Sequence, residues 1–293
     1  MKQVLIVKTG AAGDVLRTTF ILESLIKNCE VHWLTDQNCV DLIDPTLTTV
    51  YTDIAQLPPI VFDYVYCLEE DSQLLKTVQE ETVCKKYIGY YLDHGTIYYT
   101  SPNREWFDMS LNSRYGIIEA NRLKLANRKT FQDLVAPIFE LEFNNEKYNK
   151  LNYTPEDAIV VGNIAIAKSA GAKWPNKNWA YYDELKTLLQ GLGYTVNYLP
   201  TRDNIKQHIA DIAAHDLIIG GDSLPMHIAT ALEKPSIALF TCTSPWEIYD
   251  YNLITKIVSS KLPEYYYQRE LTKDCTVSIS VEEVYTVVKN ILK

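Results

Sequence analysis

Short apolar runs alternate with helical patterns along this chain, and the alternation halts at a polar stretch before starting again. Residues 4–7, 31–34 and 61–68 read as strands, and 88–99 as another with an Asp93-His94-Gly95 turn inside it. Residues 15–27 carry Leu16, Phe20, Ile21 and Leu25 at helical spacing, and Thr130 is placed to cap a helix over 131–139. Residues 143–155 are polar, rich in Asn and Lys, and end in Thr-Pro, the composition of a linker. Beyond them 158–167 is a nearly unbroken apolar strand, as in a sheet covered on both faces. A helix over 179–192 closes at Gly193; strands at 194–199, 217–220 and 236–240 then alternate with helices at 205–214 and 226–232. Ser280 and Glu283 form a capping-box pattern ahead of an apolar stripe of Val284, Val287, Val288 and Ile291. Two such blocks predict an α/β chain of two Rossmann-like doubly wound domains, 1–152 and 153–293, facing each other across a cleft. The last helix, 281–292, packs on its own domain or across to the first. Ligands of such sheets sit beyond the carboxyl ends of the strands, so the motifs there carry the function.

Composition removes several classes. The 293 residues carry a net charge of −9, which disfavours nucleic acid as a partner. No apolar run reaches the ~18–20 residues that cross a bilayer, and the start is a strand with polar neighbours, so the expectation is a cytoplasmic protein. Six cysteines form no C-x-x-C pair and no tight His/Cys cluster, so reduced, packed thiols are expected, with no metal and no cofactor. Tyrosines 87, 90, 91, 98 and 99 crowd together, which suits a cleft wall as well as a core.

Three loops stand out. The first strand runs into Lys8-Thr9-Gly10-Ala11-Ala12-Gly13-Asp14, a small-residue turn with an acid where a helix begins. It is not the dinucleotide fingerprint: the third glycine is missing, and the acid follows at once instead of about twenty residues on. Asp14 is either a first-turn helix residue or a carboxylate with chemistry to do. The second loop follows the long strand as Ala167-Lys168-Ser169-Ala170-Gly171-Ala172-Lys173-Trp174-Pro175, where a lysine could neutralise a pyrophosphate or simply face solvent. The third is Gly220-Gly221-Asp222-Ser223-Leu224-Pro225-Met226-His227. Free N–H groups and the dipole at a helix start favour a phosphate there, with Asp222 orienting donors or a sugar hydroxyl, or capping the helix. His227 reads as a structural histidine as readily as a functional one. No G-x-S-x-G, Walker A or H-E-x-x-H motif is present.

Together these segments resemble the heptosyltransferases of bacterial lipopolysaccharide assembly, GT-B glycosyltransferases that use ADP-heptose. The carriers are the Gly-Asp loop ending at Asp14, Lys173-Trp174-Pro175, and Asp222-Ser-Leu-Pro-Met-His227, with Lys234-Pro235 and Cys242-Thr243-Ser244-Pro245-Trp246 following. The resemblance implies Asp14 as general base and Lys173 as a ligand of the donor phosphates. It implies Asp222, Ser223 and Leu224 as the nucleotide-sugar phosphate site, with Lys168 and Ser169 as further phosphate contacts and Asp203 at the nucleotide ribose. Gly10, Ala11, Ala12, Gly13 and His227 complete the donor side; Arg17 and Arg104 are acceptor candidates. Leu224 stands where the family has glycine, and Arg17 where some members have histidine. The implied function is inverting, metal-independent transfer of a sugar from ADP-heptose to a hydroxyl of a surface glycan or glycolipid, with transient contact at the inner face of the membrane. A nucleotide-sugar epimerase of the same architecture and a degenerate nucleotide-sugar-binding partner are the alternatives.

Overall fold

The strands expected from the apolar runs assemble into two parallel sheets, one in each of two compact units, Met1–Leu151 and Asn152–Lys293. The computed structural model describes residues 1–171 and 173–292; Ala172 in the second loop and Lys293 at the end of the second expected domain lie outside the described residues.

In the first unit β1 (Lys2–Val7), β2 (Cys29–Leu34), β3 (Thr49–Tyr51), β4 (Val61–Cys67), β5 (Val83–Asp93) and β6 (Thr96–Thr100) lie in the order β3-β2-β1-β4-β5-β6. All pairs are parallel except β5–β6, the hairpin that closes at Asp93-His94-Gly95. Val4 through Val7 are wholly buried, as a central strand covered on both faces requires. The order reverses between β1 and β4, so the ligand edge of this unit lies past Val7 and Cys67. The helix expected over 15–27 is broken into α1 (Ala12–Thr18), a 3₁₀ turn and α2 (Leu22–Leu25). Thr18 and Thr19 explain the break: their hydroxyls bond back to the carbonyls of Asp14 and Leu16 at 2.7 Å, competing with the helical ladder. The unit also holds α3 (Ser72–Glu81), α4 (Glu105–Asp108), α5 (Ile117–Ala126) and α6 (Phe131–Val135), the last with a capping box at Thr130 and Asp133.

In the second unit β7 (Gly162–Ala167), β8 (Val196–Tyr198), β9 (His215–Gly221), β10 (Ser236–Phe240) and β11 (Ile254–Val258) are all parallel, in the order β11-β10-β9-β7-β8. Its helices are α7 (Tyr182–Gly191), α8 (Ile205–Ala213), α9 (Leu224–Ala231), α10 (Lys273–Thr276) and α11 (Val281–Ile291). Here the order reverses between β7 and β9. The strand expected from residue 158 starts only at Gly162, because the N–H groups of Ile159 and Val160 turn to the buried carboxylate of Asp211 instead of a neighbouring strand. Burial, the largest influence on Asp211, favours its neutral form. The bidentate Arg202 contact (2.7 and 3.0 Å) and the two N–H donors outweigh it and hold the carboxyl below its ordinary pKa. The closing helix α11 packs Val284 and Val288 into the second unit's own core beside Trp179, Leu185 and Ile279. Its capping box at Ser280 and Glu283 is formed.

Two glycine sites show where the sheets tolerate no side chain. A Cβ on Gly220 would lie 2.9 Å from that of Ala167 on β7. Gly89, at φ +107°, would place its Cβ 1.9 Å from the Cys67 carbonyl oxygen on β4, whereas Gly95 in the hairpin faces open space. Gly89→Ala is therefore expected to cost more than about 4 kcal/mol and leave the first unit unfolded. Gly95→Ala pays only the left-handed backbone term, about 1 kcal/mol. Thermal unfolding followed by circular dichroism separates the two; equal losses would contradict this account of β5.

Candidate active site

The first ligand edge is organised by a carboxylate. Glu69, two residues past β4, accepts from the Lys8 ammonium at 2.7 Å and from the backbone N–H groups of Thr9 and Gly10 at 2.8 and 3.2 Å. Lys8 is only 6% exposed, and its carbonyl is held by the buried Trp33 indole. The loop after β1 is thereby tied across the switch point to the loop after β4. Gly10 has no side chain where the Asp36 carboxylate comes within 4.0 Å of its Cβ position. Ala11 takes a left-handed conformation (φ 49°), turning the chain so that Ala12 and Gly13 open α1 and Asp14 falls in its first turn. The Asp14 carboxylate is partly exposed and pairs with Arg17 one turn on, at 2.9 Å. The Arg17 guanidinium lies 3.8 Å from the centre of the Phe131 ring at the start of α6, which fixes its plane. Asp14 and Arg17 thus form one unit, reachable by a proton donor. Arg104 is exposed at the start of α4.

At the second edge Asp222, directly after β9, holds the centre. Lys177 donates to its carboxylate at 2.9 Å and to its carbonyl at 2.7 Å; the Thr243 hydroxyl donates to the same carboxylate oxygen at 3.1 Å. His227 Nε2 stands 4.0 Å from the other oxygen. With its carboxylate engaged in this way, Asp222 is fixed at the turn into α9. Ser223 is the N-cap residue, but its hydroxyl bonds to the Gly221 carbonyl and makes no capping bond. Pro225 in the first turn removes one donor, so the N–H groups near Ser223 and Leu224 form a small anion-ready end. Leu224, half-buried, occupies the first helical position.

Lys177 is held in place by Asn176, which is fully buried. Asn176 donates to the carbonyls of Gln268 and Glu270, accepts from the Thr272 N–H, and offers its own carbonyl to the Thr241 hydroxyl. Trp174 stacks edge-on against Tyr267, with the Arg269 guanidinium 4.9 Å from its ring. On the far side, Lys256 donates to the Pro245 carbonyl at 2.8 Å and to that of Ile248, clamping the Cys242–Trp246 loop. Burial lowers the pKa of Lys256, with Asp250 opposing.

The remaining sequence candidates take distinct positions. Lys168 is turned onto Asp183 at 2.7 and 2.8 Å, which Tyr198 also contacts, so its charge is partly spent within the unit. The Ser169 hydroxyl accepts from the Gly171 N–H. Lys173 is exposed, and Asp203 is exposed just ahead of α8. Sequence reasoning missed Lys8, Glu69 and Lys177; each pairs with a residue distant in sequence, and nothing local marks it. Among the described residues, no three His, Cys, Asp or Glu side chains gather as a metal site.

Two parallel-sheet units, each with a polar constellation at its switch point, give the chain a GT-B-like fold. Residues 182–277, within the second unit, match the model of glycosyltransferase family 9 (heptosyltransferase). The fold agrees along the whole chain. E. coli ADP-heptose LPS heptosyltransferase II superposes with a TM-score of 0.63 at 16% identity, covering 100% of this chain and 98% of that one. A family 9 glycosyltransferase from Veillonella parvula gives 0.64 at 15%, covering 99% and 97%. The iron-containing dodecameric glycosyltransferase TibC of enterotoxigenic E. coli gives 0.61 at 14%, covering 99% of this chain and 78% of that one. No curated protein matches the chain by sequence.

Because Lys177 and Asp222 are both largely buried, removing one strands the other. Lys177→Ala is expected to cost about 3 kcal/mol, whereas Lys173→Ala, an exposed change, should stay within about 0.5 kcal/mol. Chemical denaturation of the two variants checks this; similar stabilities would remove Lys177 from its place at the site.

Proposed function

We propose that the chain is an inverting glycosyltransferase that moves a sugar, heptose from ADP-heptose in the first instance, to a hydroxyl of a glycan or glycolipid acceptor. The observation that carries this reading is the paired arrangement of Asp14 with Arg17 at the ligand edge of the first sheet. It is a partly exposed carboxylate, oriented by a guanidinium that is itself held over a ring. In this reading Asp14 accepts the proton of the acceptor hydroxyl as its oxygen attacks the anomeric carbon from the face opposite the leaving diphosphate. A positioned base of this kind contributes about 10²–10⁴ in rate.

The second unit holds the donor. Charge builds on the diphosphate as the glycosidic bond breaks, and the N–H groups at the start of α9, the Ser223 hydroxyl and nearby lysines meet it. Lys173 is exposed on its loop, so ligand phosphates can recruit it without breaking an internal pair; Lys168 would have to leave Asp183. Asp222 acts through position, keeping Lys177, Thr243 and the helix start in register. These groups supply the positive potential for the leaving group, so the chemistry as read here proceeds without a metal. E. coli heptosyltransferase WaaC has been solved with ADP and with a fluorinated ADP-heptose. That supports an adenosine diphosphate donor for this chain.

Asp14→Asn keeps the shape and the Arg17 contact while removing the base. Transfer from ADP-heptose should fall at least about 100-fold, while ADP affinity measured by calorimetry stays within about twofold of wild type. Retained turnover would sink the base assignment; a parallel loss of ADP binding would make Asp14 a donor ligand instead.

A further inference from the structure

Beside the loop that carries Asp14, the first unit has a further cavity of about 530 Å³, within the range of pockets that take small molecules. It lies past the carboxyl ends of β2 and β3, between Thr9 on the β1 loop and the start of α3. Leu34, Ile54 and Leu74 give it an apolar side, and three exposed carboxylates, Asp36, Asp53 and Asp71, also line it. No Lys, Arg or His is among its described lining residues. The Asp36 N–H donates to the Thr9 carbonyl at 3.3 Å, which ties the cavity to the Asp14 loop. Asp53 and Asp71 each cap the turn that follows, through Oδ1 to the N–H groups of Ala55 at 3.0 Å and Leu74 at 2.8 Å. A carboxylate has about four lone-pair sites, so these caps fix its direction and leave capacity to accept more. Burial, and then the charge of Glu69, raise the pKa of Asp36, with Lys8 opposing. Thr35, 1% exposed, lines the cavity too. Its hydroxyl has the Cys39 thiol beside it and no oxygen or nitrogen partner among the described residues, an open position for a hydrogen-bonding ligand.

We propose that this cavity binds the acceptor sugar and selects an uncharged polyhydroxyl ring against a phosphorylated one. Ionised carboxylates only accept, and the bonds they take from O–H donors are charge-assisted. The aliphatic side suits the C–H face of a sugar ring. A phosphate would instead meet Asp36, Asp53 and Asp71 with no cation in the lining to offset them. A metal ion is disfavoured as occupant, because no three carboxylates gather as ligands among the described residues. The inference rests on the glycosyltransferase reading with Asp14 as base, and adds to it the class of acceptor. A hydroxyl oxygen of the bound ring forms the new bond to the anomeric carbon. ADP leaves with the electron pair of the bond that breaks, and Asp14 takes the hydroxyl proton.

The test measures binding of the methyl glycosides of glucose, galactose and mannose to the full chain by saturation-transfer NMR, each beside its 6-phosphate. A neutral glycoside is expected to bind, and its 6-phosphate about tenfold more weakly, a gap that narrows as sodium chloride is added. The double variant Asp53→Asn, Asp71→Asn keeps both caps, since Asn caps a helix as well as Asp does, and its thermal midpoint should match wild type. It should bind the neutral glycoside about tenfold more weakly and discriminate less against the phosphate. The neutral glycoside should also raise ADP release from ADP-heptose, and the 6-phosphate should not. The proposal is overturned by binding of no glycoside, by preference for the 6-phosphates, by a double variant that binds as wild type does, or by magnesium displacing the glycoside at constant ionic strength. It is overturned too if ADP binds and a bound glycoside leaves ADP release unchanged. Failure of the underlying reading looks different: calorimetry would then show no ADP binding, whether or not glycosides bind.

Discussion

In each unit a lysine–carboxylate pair spans the point where strand order reverses. Lys8 after β1 meets Glu69 after β4 in the first, and Lys177 after β7 meets Asp222 after β9 in the second. Parallel strands leave their loops on the same edge, but only at the reversal do the following segments diverge and open a crevice. A pair placed there holds the two banks of that crevice at fixed separation. Both pairs are largely withdrawn from water, so neither is a cheap contributor to stability. Backbone and hydroxyl donors share the load: Thr9 and Gly10 N–H at Glu69, the Thr243 hydroxyl at Asp222. What these pairs give is geometry, and the candidate chemistry depends on geometry.

That geometry assigns different work to the two acids the sequence singles out. Asp14 is partly exposed and contacts a cation that is itself held over a ring. Asp222 is enclosed by Lys177, Thr243 and His227, and so acts as the anchor of an anion-ready helix start. A carboxylate beside a diphosphate is repulsive when bare; with an ammonium at 2.9 Å its charge is offset, and the N–H groups of α9 set the local potential.

Much of this was legible in the sequence because parallel strands buried on both faces are written as continuous apolar runs. Residues 236–240 appear as a strand with the same bounds in the structure, and the caps at Thr130 and Ser280 are formed as their spacing implies. Elements with no such signature were invisible. β3 is a short edge strand, and α3 buries only Leu75 and Val78 behind a run of acids. α5 turns its aliphatic residues outward, so its pattern fits no core. The loops at the strand ends drew attention through their glycines and acids, but their organising partners did not. Lys177 lies 45 residues from Asp222 and Lys8 lies 61 from Glu69; only the fold makes them neighbours. The paired glycines before Asp222 read as the end of a strand, and both close β9, where a Cβ on Gly220 would lie 2.9 Å from that of Ala167.

The central claim is that the second unit's ligand edge is a site for the diphosphate of an adenosine-linked sugar. A thermal-shift panel of ADP, UDP, GDP and CDP at equal concentration addresses it directly, because a ligand raises the midpoint in proportion to its binding to the folded state. The account predicts the largest rise with ADP and a smaller rise with pyrophosphate alone. A clear preference for UDP, or no shift with any of the four, would contradict it.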